Sequence, residues 1–156
     1  STGSTSFSIS NVVLESGVNN SLMAKVVNSA SLSGAVYSTS YTLDTTLPAA
    51  PSAALTTDSG SSSTDNITSV NSVTVSGIEA GATWQYSSDS GSTWSASQAA
   101  ATTSFTLAEG TYASGAVQVR QTDVAGNVST VTSNSSSSMR MLQVTRRTCR
   151  ALGAGT

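Results

Sequence analysis

Histidine is absent from the sequence, cysteine occurs once, at Cys149, and only 9% of residues are charged. Without histidine, the commonest general base and the usual zinc ligand are both missing. The many serines and threonines have no imidazole to activate them, so a nucleophilic mechanism has no starting point. Asp58 and Asp65 form an imaginable carboxylate pair, but both lie in a Gly/Ser-rich stretch with no obvious cleft. No enzymatic activity is expected. With no cysteine before Cys149, internal disulfides cannot staple the fold, and a metal is the obvious substitute. The chain has no basic stripe and no run of about 18 apolar residues, which argues against nucleic-acid binding and membrane insertion. It opens at Ser1 without a basic segment followed by an apolar one, and reads as a piece of something longer.

What is present is Ser, Thr, Ala, Val and Gly in short alternating runs. Low charge combined with many β-branched residues predicts a folded β protein, since a disordered chain would carry more charge and less Val, Ile and Trp. From Pro51 to about Asn134 the runs are separated by Gly, Asn and Asp. Strands are expected near 52–57, 72–78, 82–88, 93–96, 103–107, 115–122 and 128–133. Val73 and Val75 share one face, as do Trp84 and Tyr86, and Val117 and Val119. The pattern is that of an immunoglobulin-like antiparallel β-sandwich, in which Trp84 is the central aromatic and Val75 and Val119 fall near the usual cysteine positions.

The opening segment repeats the second half of the chain. Thr5-Ser6-Phe7-Ser8-Ile9 resembles Thr103-Ser104-Phe105-Thr106-Leu107, Leu22, Ala24 and Val26 alternate as Val117 and Val119 do, and Asn28-Ser29-Ala30-Ser31 takes the place of Asp123-Val124-Ala125-Gly126. Residues 1–42 are thus expected to be the degraded C-terminal half of a preceding repeat. Pro48 and Pro51 forbid regular ladder pairing and mark 43–51 as a linker. Residues 52–134 are the expected sandwich, and 135–156 a disordered tail.

Two features could carry chemistry. Ser87-Ser88-Asp89-Ser90-Gly91-Ser92-Thr93-Trp94 matches the S-x-D-x-G-x-T-W pattern called the Asp box, known from sialidases and other β proteins. Physically it is a hairpin device, with short side chains bonding turn amides. Together with Trp84, Tyr86 and Trp94 it motivates an alternative reading, a carbohydrate-binding or sialidase-associated module. The second feature is the set of acids Asp44, Asp58, Asp65 and Asp123, with Asn127, all in predicted loops or linker. Clustered oxygen ligands suit Ca²⁺. Asx side chains that mimic turns account for the same placement.

Six stretches together resemble the bacterial Ig-like repeats of giant secreted adhesins. They are Leu43-Asp44-Thr45-Thr46-Leu47-Pro48, Asp58-Ser59-Gly60, Thr64-Asp65-Asn66-Ile67-Thr68, Val73-Thr74-Val75-Ser76-Gly77, Trp84-Gln85-Tyr86-Ser87, and the run from Val117 to Asn127. The resemblance covers about 43–134 well and 1–42 loosely. It implies a non-catalytic stalk or spacer repeat of an RTX-type, type I secreted adhesin. Such a repeat is extracellular or on the bacterial cell surface, has neighbouring repeats as partners and is rigidified by calcium at inter-domain junctions. Carried across, the implied metal ligands are Asp44, Asp58, Asp65, Asp123 and Asn127. The first copy departs from the pattern, with Asn28 for Asp and Ser31-Leu32 for Gly-Asn.

From Met139 onward the composition changes. Arg140, Arg146, Arg147 and Arg150 supply four of the six basic residues, with no heptad or alternation to organise them. Read in a shifted frame, permitted codons can spell Ala-Asp-Ala-Ala-Gly-Asn, the motif of the Asp123 loop. A frameshifted tail without dedicated function is therefore expected.

Overall fold

The structure, a computed structural model, describes residues 8–10, 12–135 and 139–142. The chain divides into two compact units, Ser1–Thr46 and Leu47–Thr156. All regular structure among the described residues is β.

The first unit holds one two-stranded antiparallel sheet, β1 (Asn19–Ala24) and β2 (Tyr37–Thr42), with Ala24 opposite Tyr37 and Asn19 opposite Thr42. The loop after β1 is built by Asn28, whose Oδ1 accepts the N–H groups of Ala30 at 3.0 Å and Leu32 at 2.9 Å. Ser31 closes the turn with φ at 62°.

The second unit carries β3 (Ser52–Leu55), β4 (Ile67–Thr68), β5 (Ser72–Ser76), β6 (Thr83–Ser87), β7 (Gln98–Ala99), β8 (Ser104–Thr106), β9 (Gly110–Tyr112), β10 (Gln118–Thr122), β11 (Thr132–Ser133) and β12 (Met139–Met141). One sheet runs β11-β10-β6-β7, a second β3-β5-β8 and a third β4-β12-β9. The alternation in the sequence is what fills the space between them. Val73 and Val75 from the β3-β5-β8 sheet meet Trp84 and Val119 from the β11-β10-β6-β7 sheet in one buried cluster with Phe105, Leu107 and Val117. Tyr86 stacks on Phe105 with ring centroids 4.1 Å apart. The indole N–H of Trp84 donates to the carbonyls of Thr102 at 2.9 Å and Ala99 at 3.2 Å, so the buried ring leaves no polar atom unpaired. The expectation of an all-β, immunoglobulin-like sandwich is met, with Val75 and Val119 in opposing sheets as foreseen.

Two local expectations need correction. Residues 93–96 form no strand. The Ser95 N–H donates to the Tyr86 carbonyl at 2.8 Å, but the Tyr86 N–H goes to the Ser95 hydroxyl, so a side chain replaces one of the two main-chain bonds there, and the strand pairing with β6 falls to Gln98–Ala99. The tail expected to be disordered from 135 onward contributes β12, which pairs parallel with β4 and antiparallel with β9. The Met-Arg-Met alternation explains it: Met139 and Met141 point into the core, at 7% and 1% exposure, while Arg140 stays outside. Residues 136–138 and 143–156, including Cys149, lie outside the described residues.

The two units repeat one another in hydrogen-bond detail. The offset that carries Asn28 onto Asp123 carries Ala24 onto Val119 and Tyr37 onto Thr132, and both pairs are cross-strand partners. Gly34 N–H donates to the Val26 carbonyl as Ser129 N–H donates to that of Gln121.

Candidate functional site

Gln121 is fully buried and organises the end of the sandwich where the chain enters. Its Nε2 donates to the carbonyls of Ala49 at 2.6 Å and Gly77 at 3.1 Å, and its Oε1 accepts the Glu79 N–H at 2.9 Å. The Glu79 carboxylate in turn accepts the Ala49 N–H at 3.2 Å. Both backbone groups of one connector residue are thereby held. Pro48 and Pro51 are buried beside it, a use of proline that needs no ladder donor.

Asp123 and Asn127 share the loop at this same end. Asp123 Oδ1 accepts the N–H groups of Ala125 at 2.9 Å and Asn127 at 2.8 Å, and Oδ2 accepts from the Asn127 side-chain amide at 2.9 Å. Gly126, at φ 96°, supplies the left-handed residue that closes the turn. The Asn127 amide, ahead of the backbone N–H groups, holds the Asp123 carboxyl below its ordinary value.

Asp58 and Asp65 lie at the opposite end, on the loop between β3 and β4. Asp58 Oδ2 accepts the Asn66 N–H at 2.9 Å and Asp65 Oδ1 accepts the Ile67 N–H at 3.0 Å. Asp58 Oδ1 is buried and has no hydrogen-bond partner. Buried Thr68 ties the loop together, its hydroxyl donating to the Thr57 carbonyl at 2.7 Å and accepting the Val70 N–H at 3.0 Å. A cavity of about 380 Å³ opens here between Ser59, Asp65, Thr68 and Leu142.

Asp44 belongs to the first unit, and its Oδ1 accepts the Thr46 N–H at 2.9 Å. Of the five sequence-predicted ligands, the fold thus brings together Asp58 with Asp65, and Asp123 with Asn127, but separates the two pairs. Among the described residues, no three His, Cys, Asp or Glu side chains converge on a point. A cation at either end would take most of its oxygens from carbonyls, hydroxyls and amides. The orphaned Asp58 oxygen fits that role, whereas the Asp123 oxygens already accept from their own loop.

In the turn after β6, Asp89 is the hub. Its Oδ2 accepts the Thr93 hydroxyl at 2.6 Å, and its Oδ1 accepts the Thr93 N–H at 2.8 Å and the Ser87 hydroxyl at 2.7 Å. These donors, the Thr93 hydroxyl first, hold its carboxyl down to about 2. The aromatic platform of the carbohydrate reading is not formed. Trp84 and Tyr86 pack in the core, while Trp94 lies under Arg120, whose guanidinium carbon sits 3.9 Å from the ring centroid. Arg120 also donates to Gln85 Oε1 at 3.0 Å on the outer face of the sheet.

The sequence reading passed over Gln121 and Arg120. The signal for Gln121 was available: it is a polar residue at the third inward position of the run Val117, Val119, Gln121, where only a fully bonded side chain is tolerated. Arg120 gave no such signal, because its partners Trp94 and Gln85 meet it only across the folded sheet.

No curated protein matches the chain. No helix among the described residues is long and apolar enough to cross a membrane. Residues 45–137 match the family model described as bacterial Ig-like domain. Domains of that family are generally non-catalytic structural modules and often occur in surface or extracellular proteins. With more than half of its length matched and an Ig-like sandwich over the same residues, the chain belongs to the bacterial Ig-like domain family.

Proposed function

We propose that the chain is a non-catalytic stalk or spacer repeat of a bacterial cell-surface adhesin, working outside the cell with neighbouring Ig-like repeats as its partners. The observation that carries this reading is the path of the chain through the second unit. It enters at Ala49, beside Gly77 and Gln121, and β12, its last described strand, runs to the other end, where the Leu142 N–H donates to the Thr68 carbonyl. A module that is entered at one pole and left at the other adds its length to a tandem array. The parallel pairing of β4 with β12 suits it to load, since opposed pulling shears the two bonds Arg140 N–H to Asn66 and Leu142 N–H to Thr68 together.

Calcium is the proposed cofactor, with Asp44, Asp58, Asp65, Asp123 and Asn127 as its candidate oxygen ligands and Asp58 the one with an oxygen left unpartnered. The oxygen-only donor set and the unpartnered Asp58 Oδ1 support it. Calcium bound there would stiffen the array by ordering the loops from which each connector departs.

Pulling the full chain by its two ends tests the stalk reading. A discrete unfolding event at high force is expected, and smooth extension at low force would refute it. Thermal unfolding of the full chain in Ca²⁺ and in chelator tests the metal, because a ligand of the folded state raises the midpoint by mass action. An upward shift lost in Asp58→Ala is expected. An unchanged midpoint would remove calcium from this repeat and leave a plain spacer.

A further inference from the structure

The turn after β6 has no part in the stalk reading, yet it fixes a surface residue. Asp89 accepts both the N–H and the hydroxyl of Thr93, and Ser95 is bonded to Tyr86 through its N–H and its hydroxyl. Trp94 stands between these two anchored residues. Arg120 lies on its ring, the guanidinium carbon 3.9 Å from the centroid.

The Arg120 guanidinium is fixed in a second direction as well. Its Nε and Nη2 both donate to Gln85 Oε1, at 3.3 and 3.0 Å, and the Gln85 amide is itself oriented by donating to the Ser95 carbonyl at 2.8 Å. Stacking sets the plane of the group, and the shared oxygen sets its rotation within that plane. These bonds occupy the edge that carries Nε. The end-on pair, Nη1 with the remaining N–H of Nη2, has no acceptor, and no carboxylate among the described residues pairs with it. Asp58 Oδ1 alone is a buried, unpartnered side-chain atom among the described residues, so Nη1 is open to solvent. The surroundings on this outer face are uncharged. Gln118 and Thr122 flank Arg120 along β10, and Thr83, opposite Thr122, flanks Gln85 along β6. The Thr83 and Thr122 hydroxyls make no hydrogen bond among the described residues.

We infer that Arg120, seated on Trp94, binds the carboxylate of an acidic saccharide, with the Thr83 and Thr122 hydroxyls on the same face to pair with its ring hydroxyls. A free guanidinium fork matches a carboxylate in two parallel bonds, and fixing the fork beforehand removes much of the ordering cost. Its one charge and planar edge suit a carboxylate, whereas phosphate sites gather several cations or a nest of backbone N–H groups. The neighbouring amides and hydroxyls suit a sugar, whereas a protein partner is anchored chiefly by buried aromatic groups. Trp94 is the seat of the guanidinium and not a stacking platform, so recognition is by charge and fork geometry. The Asp89 turn acquires a role here, as the element that positions Trp94. This inference goes beyond the stalk reading and does not depend on it.

The test is to titrate the full chain with trigalacturonate while following the backbone amide resonances of Gln85, Arg120 and Thr122 by NMR. Neutral maltotriose, inorganic phosphate and triglutamate are the comparison probes. Trigalacturonate should shift the three resonances saturably, and maltotriose should not. Arg120→Lys, which keeps the charge and loses the fork, should weaken binding roughly fivefold or more. Thr83→Val with Thr122→Val, which leaves the fork intact, should weaken it roughly threefold or more. Arg140→Ala, which removes the outward arginine of β12, should leave it unchanged. Absence of a saturable shift, full binding by Arg120→Lys, or an equal loss in Arg140→Ala overturns the assignment. So does binding of triglutamate or phosphate at least as tight as that of trigalacturonate, which would make the site one for protein carboxylates or for phosphate.

Discussion

The side-chain amide of Gln121 holds the backbone carbonyl of Ala49, 72 residues earlier in the chain, at 2.6 Å. Through this bond, and the Ala49 N–H bond to Glu79, the connector becomes part of the sandwich before its first strand begins. Replacing Gln121 by Met keeps the volume and leaves the Ala49 and Gly77 carbonyls and the Glu79 N–H without their partner. A loss of about 1–3 kcal/mol is expected, since three hydrogen bonds worth roughly 0.5–1.5 kcal/mol each are removed while their partners, on exposed residues, stay within reach of water. Urea unfolding of the full chain measures it, and a change near zero would show that the clamp adds nothing.

Met141 is 1% exposed although it lies beyond the family match. Met141→Ala is expected to destabilise the second unit by about 2–4 kcal/mol through the cavity it leaves. Arg140→Ala, on the outward position of the same strand, is expected to change stability by less than about 0.5 kcal/mol. Equal, negligible effects in thermal melts would mean that β12 is dispensable.

Asp89 gives the second unit an acid-sensitive element. Its carboxyl lies at about 2 in the folded chain against an ordinary 3.8, so the folded state binds this proton less readily than the unfolded one. Its contribution is therefore complete above about pH 4 and is lost as pH falls toward 2. Asp89→Asn should flatten the stability profile in that window while leaving its shape at neutral pH unchanged. An unaltered acid limb in the variant would contradict the assignment.

The contact of Arg120 with Trp94 is partly exposed, and its weight is modest. Arg120→Ala should lower stability by about 0.5–1 kcal/mol. It should also change the emission of Trp94 more than that of Trp84, which is separated from Arg120 by the sheet. In a Trp84→Phe background, which leaves Trp94 as the sole tryptophan, fluorescence reports the contact directly. Identical spectra with and without Arg120 would show that the stacking is absent in solution.

The loop acids show why a site is harder to read than a fold. Asp58, Asp65, Asp123 and Asn127 were all legible as loop residues, and each accepts or donates the local bonds that Asx residues make. Their division between two ends of the sandwich followed from strand order. The single unpartnered oxygen of Asp58 had no trace in the sequence, because burial of one atom depends on how Thr68 and its neighbours close over it.

Local chemistry written in the sequence determined the alternation of Val73 with Val75 and Val117 with Val119, the turns at Asp89 and Asp123, and the echo of the second unit in the first. Each depends on residues within one strand or one loop, and a period of two or an Asx turn needs no distant partner. Tertiary structure alone decided the rest: that Met139 and Met141 enter the core, that Gln121 reaches Ala49 and that Arg120 covers Trp94. Those contacts join segments far apart in the chain. Their energy comes from burying and pairing groups that meet only once the sheets have closed.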